Sequence, residues 1–130
     1  MLRLIAIIGL SVLLAGSFSK RAFCETGFAT YYTEKSCKRE GTSGIWTASG
    51  EPYVESAFTC ALPDRKGMYT LQLWKVTNVL NGKFVIVRQN DFGPGNGPRS
   101  KGVIIDLTPR AFKALGDLRR GKIRVRVEKA

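Results

Sequence analysis

Histidine is absent from all 130 residues of this chain. That excludes Ser-His and Cys-His nucleophile pairs, and with only three scattered cysteines it also excludes the usual zinc ligand sets. No Gly-rich phosphate loop of the required spacing precedes a helix. No metal and no organic cofactor is therefore expected. Acidic residues are scarce as well, 10 against 21 Lys and Arg, for a formal net charge of +11. The basic residues are not interleaved with stacking aromatics, so nucleic acid is not the expected partner. Long apolar runs are missing too. The longest, Leu4 to Gly16, has 13 residues, short of the roughly 20 that a spanning helix needs.

That short run follows the positive start Met1–Arg3 and ends at the small residues Ala15-Gly16-Ser17. The pattern reads as a signal peptide within residues 1–24, with cleavage after Ser17 or after Cys24. An N-terminal membrane anchor is the alternative. Either way the domain, residues 25–130, is expected to be exported to the periplasm or the extracellular cell wall. An oxidising compartment would let Cys37 and Cys60 pair, and cleavage after Cys24 would make the cysteine count even. Loss of residues 1–24 removes Arg3, Lys20 and Arg21 and no acids, leaving 18 basic residues against 10 acidic. For an exported chain such a balance suits anionic wall polymers or a membrane surface.

Strand signals dominate the rest. Residues 26–33 are β-branched and aromatic. Residues 69–78 and 83–90 are strands joined through Asn81-Gly82, a strong hairpin turn. The "FVIV" stretch is apolar at every position and predicts a strand buried on both faces, as does "GVIIDL". "KIRVRVEK" alternates, with Ile123, Val125 and Val127 facing inward. One helix is legible, with Thr108 as cap, Pro109 at its first position and Gly116 at its end. Residues 34–56 read as long loops. The expected architecture is all-β, a six-stranded barrel with one short helix, expected as a monomer.

Carboxylates are what remain for acid–base chemistry. Asp91 and Asp106 stand apart because each follows an apolar strand, a placement that can bring both to one end of a barrel, partly desolvated. Desolvation and a like-charged neighbour both raise a carboxyl pKa, as a general acid at neutral pH requires. Asp91 as an ordinary turn residue and Asp106 as a helix-region cap are the alternatives. The loop between them, with Gly93, Pro94, Gly95, Gly97 and Pro98, would hold Asp91 steady, and Arg99 could add positive field beside it. Tyr32 and Trp46, in loop-like stretches, are candidate sugar-stacking residues.

Five stretches in order, "GFATYY", "TSGIWTASGEPY", "FTCALP", "LWKVTNVLNGKFVIVRQNDFGPG" and "GVIIDLTPRAFKALG", resemble the rare lipoprotein A (RlpA-like) family. The resemblance runs from about Gly27 to Val127 and implies a double-psi β-barrel. It implies a lytic transglycosylase that cuts peptidoglycan glycan strands, preferring those stripped of stem peptides, to 1,6-anhydro-muramic acid ends. Carried over by motif, the catalytic aspartate falls on Asp91, next to Asn90. The aspartate important in the related expansins falls on Asp106, and their early threonine on Thr30. Ser49 and Glu51 sit in the groove motif. The family's histidine falls on Thr59. The alternatives are a non-catalytic, expansin-like module that binds and loosens wall polysaccharide, and an accessory interaction protein using the barrel as scaffold.

Overall fold

A computed structural model describes residues 23–39, 45–64 and 70–130, without the side chains of 37–39. Most of the expected leader, residues 1–22, lies outside the described residues. Six strands form the core architecture: β1 (Cys24–Tyr31), β2 (Thr59–Leu62), β3 (Leu73–Asn78), β4 (Phe84–Phe92), β5 (Val103–Leu107) and β6 (Ile123–Lys129). They close into a barrel in the order β1-β5-β2-β4-β3-β6, with β6 returning to β1. The β1/β5 and β2/β4 pairs are parallel, and the other four pairs are antiparallel. Closure leaves no free sheet edge.

Alternation fills the barrel. Val76, Val85, Val87, Ile105, Leu107, Val125 and Val127 are buried in one core cluster. The helix α3 (Pro109–Leu115) adds Phe112 and Leu115 to it. Its start is as the sequence predicts: the Thr108 hydroxyl accepts the Ala111 N–H at 3.3 Å, and Pro109 occupies the first turn. Its last carbonyls are used as well, since the side-chain amides of Asn78 and Asn81 each donate to the Leu115 carbonyl at 3.0 Å. Two polar side chains inside the barrel satisfy each other: the Trp74 indole N–H donates to Gln89 Oε1 at 3.1 Å.

Three features differ from the expectations. The first is in the stretches read as loops, where two short helices form: α1 (Glu34–Arg39) and α2 (Asn96–Ser100). Residues 59–62, too short to show a period, form β2, which is buried throughout and joins β4 to β5. Second, "FVIV" is not buried on both faces. Val85 and Val87 point inward, while Phe84 and Ile86 point outward and are exposed, because no layer covers that side of β4.

Third, the expected Cys37–Cys60 bridge is not seen. Cys60 is a free thiol with no exposed surface, packed in the barrel core, and it faces inward because Ala29, Ile105 and Leu107 surround that row. Cys37 sits on α1, and its side chain lies outside the described residues. Burial, and secondarily the charge of Asp106, pushes the Cys60 thiol far above its ordinary pKa.

Candidate active site

The two aspartates meet through a third residue. Ala61 on β2 pairs with Asp91 of β4 on one side and with Asp106 of β5 on the other, and Asp106 pairs onward with Thr30 of β1. Thr30, Asp106, Ala61 and Asp91 thus form one transverse row over four adjacent strands. Their backbones are spaced by about 4.8 Å per strand, so Asp91 and Asp106 stand roughly 10 Å apart at the backbone. The row lies on the outer face: the residues before Thr30 and Ala61 and the one after Asp106, namely Ala29, Cys60 and Leu107, are the inward ones and are fully buried. Ala61 is only 3% exposed between the two carboxylates, with Gly93 lying against it.

A β-bulge aims Asp91. Along β4 the inward positions are Val85, Val87 and Gln89, and strict alternation would turn Asp91 inward with them. The pairing with β2 slips instead: Cys60 opposes Gln89, while the next residue, Ala61, opposes Asp91. Asn90 is the extra residue, and the slip turns Asp91 onto the outer row. Asn90 is only 2% exposed. Its carbonyl accepts the Ser49 N–H at 3.0 Å, while its side-chain oxygen is buried without a partner.

The loop 45–56 folds over this end and supplies donors. The Ala48 N–H donates to Asp91 Oδ1 at 3.1 Å, and the Phe92 N–H donates to the same oxygen at 2.9 Å. The loop is pinned by Glu51, whose carboxylate receives two bonds from the Arg88 guanidinium, one of them at 2.8 Å. It is closed on itself by Thr47, whose N–H and hydroxyl both donate to the Glu51 carbonyl at 2.8 Å. Partial burial pushes the Asp91 carboxyl above its ordinary range, with the two amide bonds pulling the other way. The Arg88 bond holds Glu51 below its ordinary range.

Asp106 is held differently. The Thr30 hydroxyl donates to its Oδ1. Its other oxygen lies beside Gly93, where an added Cβ would come to 3.3 Å. Gly93 also has φ of +149°, a conformation that other residues rarely adopt, so the turn after Asp91 and the Asp106 carboxylate fit together only with glycine there.

The structure therefore brings together Asp91, Asp106, Thr30, Asn90, Ser49 and Glu51. Tyr32 joins through the same loop: its carbonyl accepts the Tyr53 hydroxyl, and the two rings lie 4.7 Å apart. Trp46, bridged to Pro52 in this loop, is 56% exposed. Arg99 lines a pocket of about 560 Å³ with Leu62, Trp74, Val103 and others, and neither Asp91 nor Asp106 lines it. The position matching the family histidine, Thr59, is buried on β2 and pairs with Arg88. Arg88 and the Ala48 amide escaped the sequence reading. The signal for Arg88 was present, since a cation inside the run "FVIVRQ" needs a partner. No sequence signal marks a backbone N–H.

A closed six-stranded barrel with this strand order and interlocked parallel pairs is a double-psi β-barrel. Within that class, the chain belongs to the family described as "Lytic transglycolase", whose profile matches residues 24–127. It is 38% identical over 106 residues to the endolytic peptidoglycan transglycosylase RlpA of Neisseria meningitidis, covering 82% of this chain and 39% of that protein. It is 39% identical over 108 residues to the RlpA of Pseudomonas aeruginosa, covering 83% of this chain and 28% of that one. The chain thus spans well under half the length of these curated relatives. Among solved structures, an expansin of Clavibacter michiganensis aligns with TM-score 0.58 at 23% identity, over 83% of this chain and 50% of that one. A Streptomyces papain inhibitor aligns with TM-score 0.57 at 23% identity, over 82% and 93%. At that identity the structural likeness establishes the barrel alone.

Proposed function

We propose that the protein is an exported endolytic transglycosylase that cleaves peptidoglycan glycan strands, with Asp91 as the acid/base. The observation that carries this reading is the state of Asp91: a half-buried carboxyl, raised in pKa by desolvation and held in place by two backbone amides, on the outer face of the barrel. A protonated Asp91 gives its proton to the glycosidic oxygen as the bond to the anomeric carbon breaks. The resulting carboxylate then takes the proton of the same sugar's 6-hydroxyl, and O6 closes on the anomeric carbon. The product ends in a 1,6-anhydro ring, no water is consumed, and Asp91 returns to its protonated form. One carboxyl serves both steps, so the absence of histidine does not break the cycle. Asp106, bonded to Thr30, supplies negative charge opposite the developing positive charge on the sugar. Trp46 and Tyr32 are the candidate sugar contacts.

A second reading has its own support. Thr59 replaces the family histidine, and the Thr30–Asp106 pair is the arrangement that the expansin-like motif implies. This favours a module that binds and loosens wall polysaccharide without cutting it. Mass spectrometry of denuded glycan strands after incubation with the protein decides between them. The enzyme yields anhydro-muramic ends, and Asp91→Asn lowers their rate by about a hundredfold or more. Intact strands, bound in a manner sensitive to Asp106→Asn, point to the loosening module.

A further inference from the structure

Four of the exposed large apolar residues gather at one end of the barrel. The β3–β4 turn carries Val79 and Leu80, and β4 continues with Phe84 and Ile86 on its outer face. Leu80 is 75% exposed and Phe84 is 57% exposed. The turn is rigid. The Leu80 N–H donates to Asn78 Oδ1 at 3.0 Å, the Gly82 N–H to the Asn78 carbonyl at 2.9 Å, and the Lys83 N–H to Asn81 Oδ1 at 2.9 Å. Asn81 in turn ties the tip to the end of α3. A turn stiffened in this way holds Leu80 out in solvent rather than letting it fold back onto the barrel.

Cations border the apolar ridge. Lys83 is within the turn, and Lys75 lies opposite Ile86 in register, its ammonium 4.6 Å above the Phe84 ring. The next strand, β6, turns Arg124 and Arg126 outward, and the Arg124 carbonyl accepts the Val79 N–H. The acid on this face among the described residues is Glu128, 3.7 Å from Arg126 and opposite Lys75 in register. Phe84 and Asp91 are at opposite ends of β4, roughly 23 Å apart along an extended strand. A surface that engaged the tip would leave the carboxylate groove open.

We infer that this turn docks the protein onto an anionic phospholipid bilayer, with Leu80 and Phe84 entering the headgroup–acyl boundary and the Lys and Arg side chains meeting the phosphates. The charge of the ridge selects an anionic partner. The apolar side chains select lipid over a charged glycan, because a carbohydrate polymer offers hydroxyls and charges but no apolar phase in which Val79 and Leu80 could be buried. The inference does not depend on the cleavage reaction proposed for the groove.

The test is hydrogen exchange, resolved by peptide, on the full chain with vesicles of phosphatidylglycerol in phosphatidylcholine and with phosphatidylcholine alone. The apolar run near the N-terminus can attach the chain to either vesicle, so exchange at residues 79–86 is the readout rather than the fraction bound. Exchange there should slow by about threefold or more on the anionic vesicles only, and the effect should vanish near 1 M salt, where screening acts within about 3 Å. Lys75→Glu with Lys83→Glu, and separately Leu80→Ser with Phe84→Ser, should each remove it while leaving glycan-strand binding unchanged. Equal protection on both vesicles, no protection on either, or protection by purified sacculi in place of vesicles would each overturn the inference. The wild-type comparison stands even where a double variant fails to fold.

Discussion

At the residue scale, the site is a set of unlike solutions to holding a carboxylate. Asp91 is desolvated and held by backbone amides, Asp106 by a hydroxyl, and Glu51 by a guanidinium. The first arrangement favours the protonated form and the last favours the charged one, which is why Asp91 suits proton transfer and Glu51 suits a clamp. The linkage has opposite signs for the two. With its folded pKa raised, Asp91 costs the native state nothing while it is neutral, and destabilises it as pH rises through that pKa. Asp91→Asn should therefore raise the melting temperature at pH 7 and bring little gain at pH 4, as thermal unfolding at the two values would register. Glu51, with its folded pKa lowered, contributes stability that is lost as pH falls below about 4. Being a third exposed, the Glu51–Arg88 pair is worth on the order of 1 kcal/mol.

At the scale of elements, β2 and α3 decide the geometry. β2 has four residues, yet it is the strip that lies between Asp91 and Asp106 and sets their separation. The helix α3 closes the barrel end nearest the β3–β4 turn, and its start is fastened by one side chain. Thr108 is fully buried; its hydroxyl accepts the Ala111 N–H and donates to the Ala57 carbonyl at 2.6 Å. Thr108→Val keeps the volume and removes both bonds. The expected loss is about 2 kcal/mol, read from the urea midpoint at unchanged slope. Because Ala57 directly follows the loop 45–56 that folds over the Asp91 end, the same variant should also weaken glycan binding. The helix was legible in the sequence because cap, proline and glycine are local signals. The strand β2 was not, since four residues, Thr59 to Leu62, are too few to carry a period and form a strand only through their neighbours.

For the molecule as a whole, closure of the barrel is what makes the interior inaccessible. Cys60 reports on it, as a free thiol at zero exposure whose pKa is driven up by burial and by Asp106. Peptide mapping after alkylation should find Cys24, which is exposed, modified within minutes, and Cys60 modified only at the rate of global opening. Rapid labelling of Cys60 in the folded protein would show that the β2–β5 seam opens locally. The charge is distributed over the same whole: basic side chains border the β3–β4 turn and the outer face of β6, while Arg88 is tied to Glu51 beside the carboxylate row.

The sequence by itself determined the strand content, the Asn81-Gly82 turn, the capped helix, the basic balance, the family and the two aspartates worth watching. These follow from local propensity, alternation and ordered motifs, which are written along the chain. Only the tertiary structure decided that Ala61 stands between Asp91 and Asp106, that a bulge at Asn90 turns Asp91 outward, and that the Ala48 amide reaches it from 43 residues away. It also decided that Phe84 and Ile86 face solvent and that Cys60 points into the core. The reason is the same in each case: which face of a strand is covered, and what lies beside it, depends on partners far away in sequence, and a one-residue slip in pairing reverses every side chain beyond it.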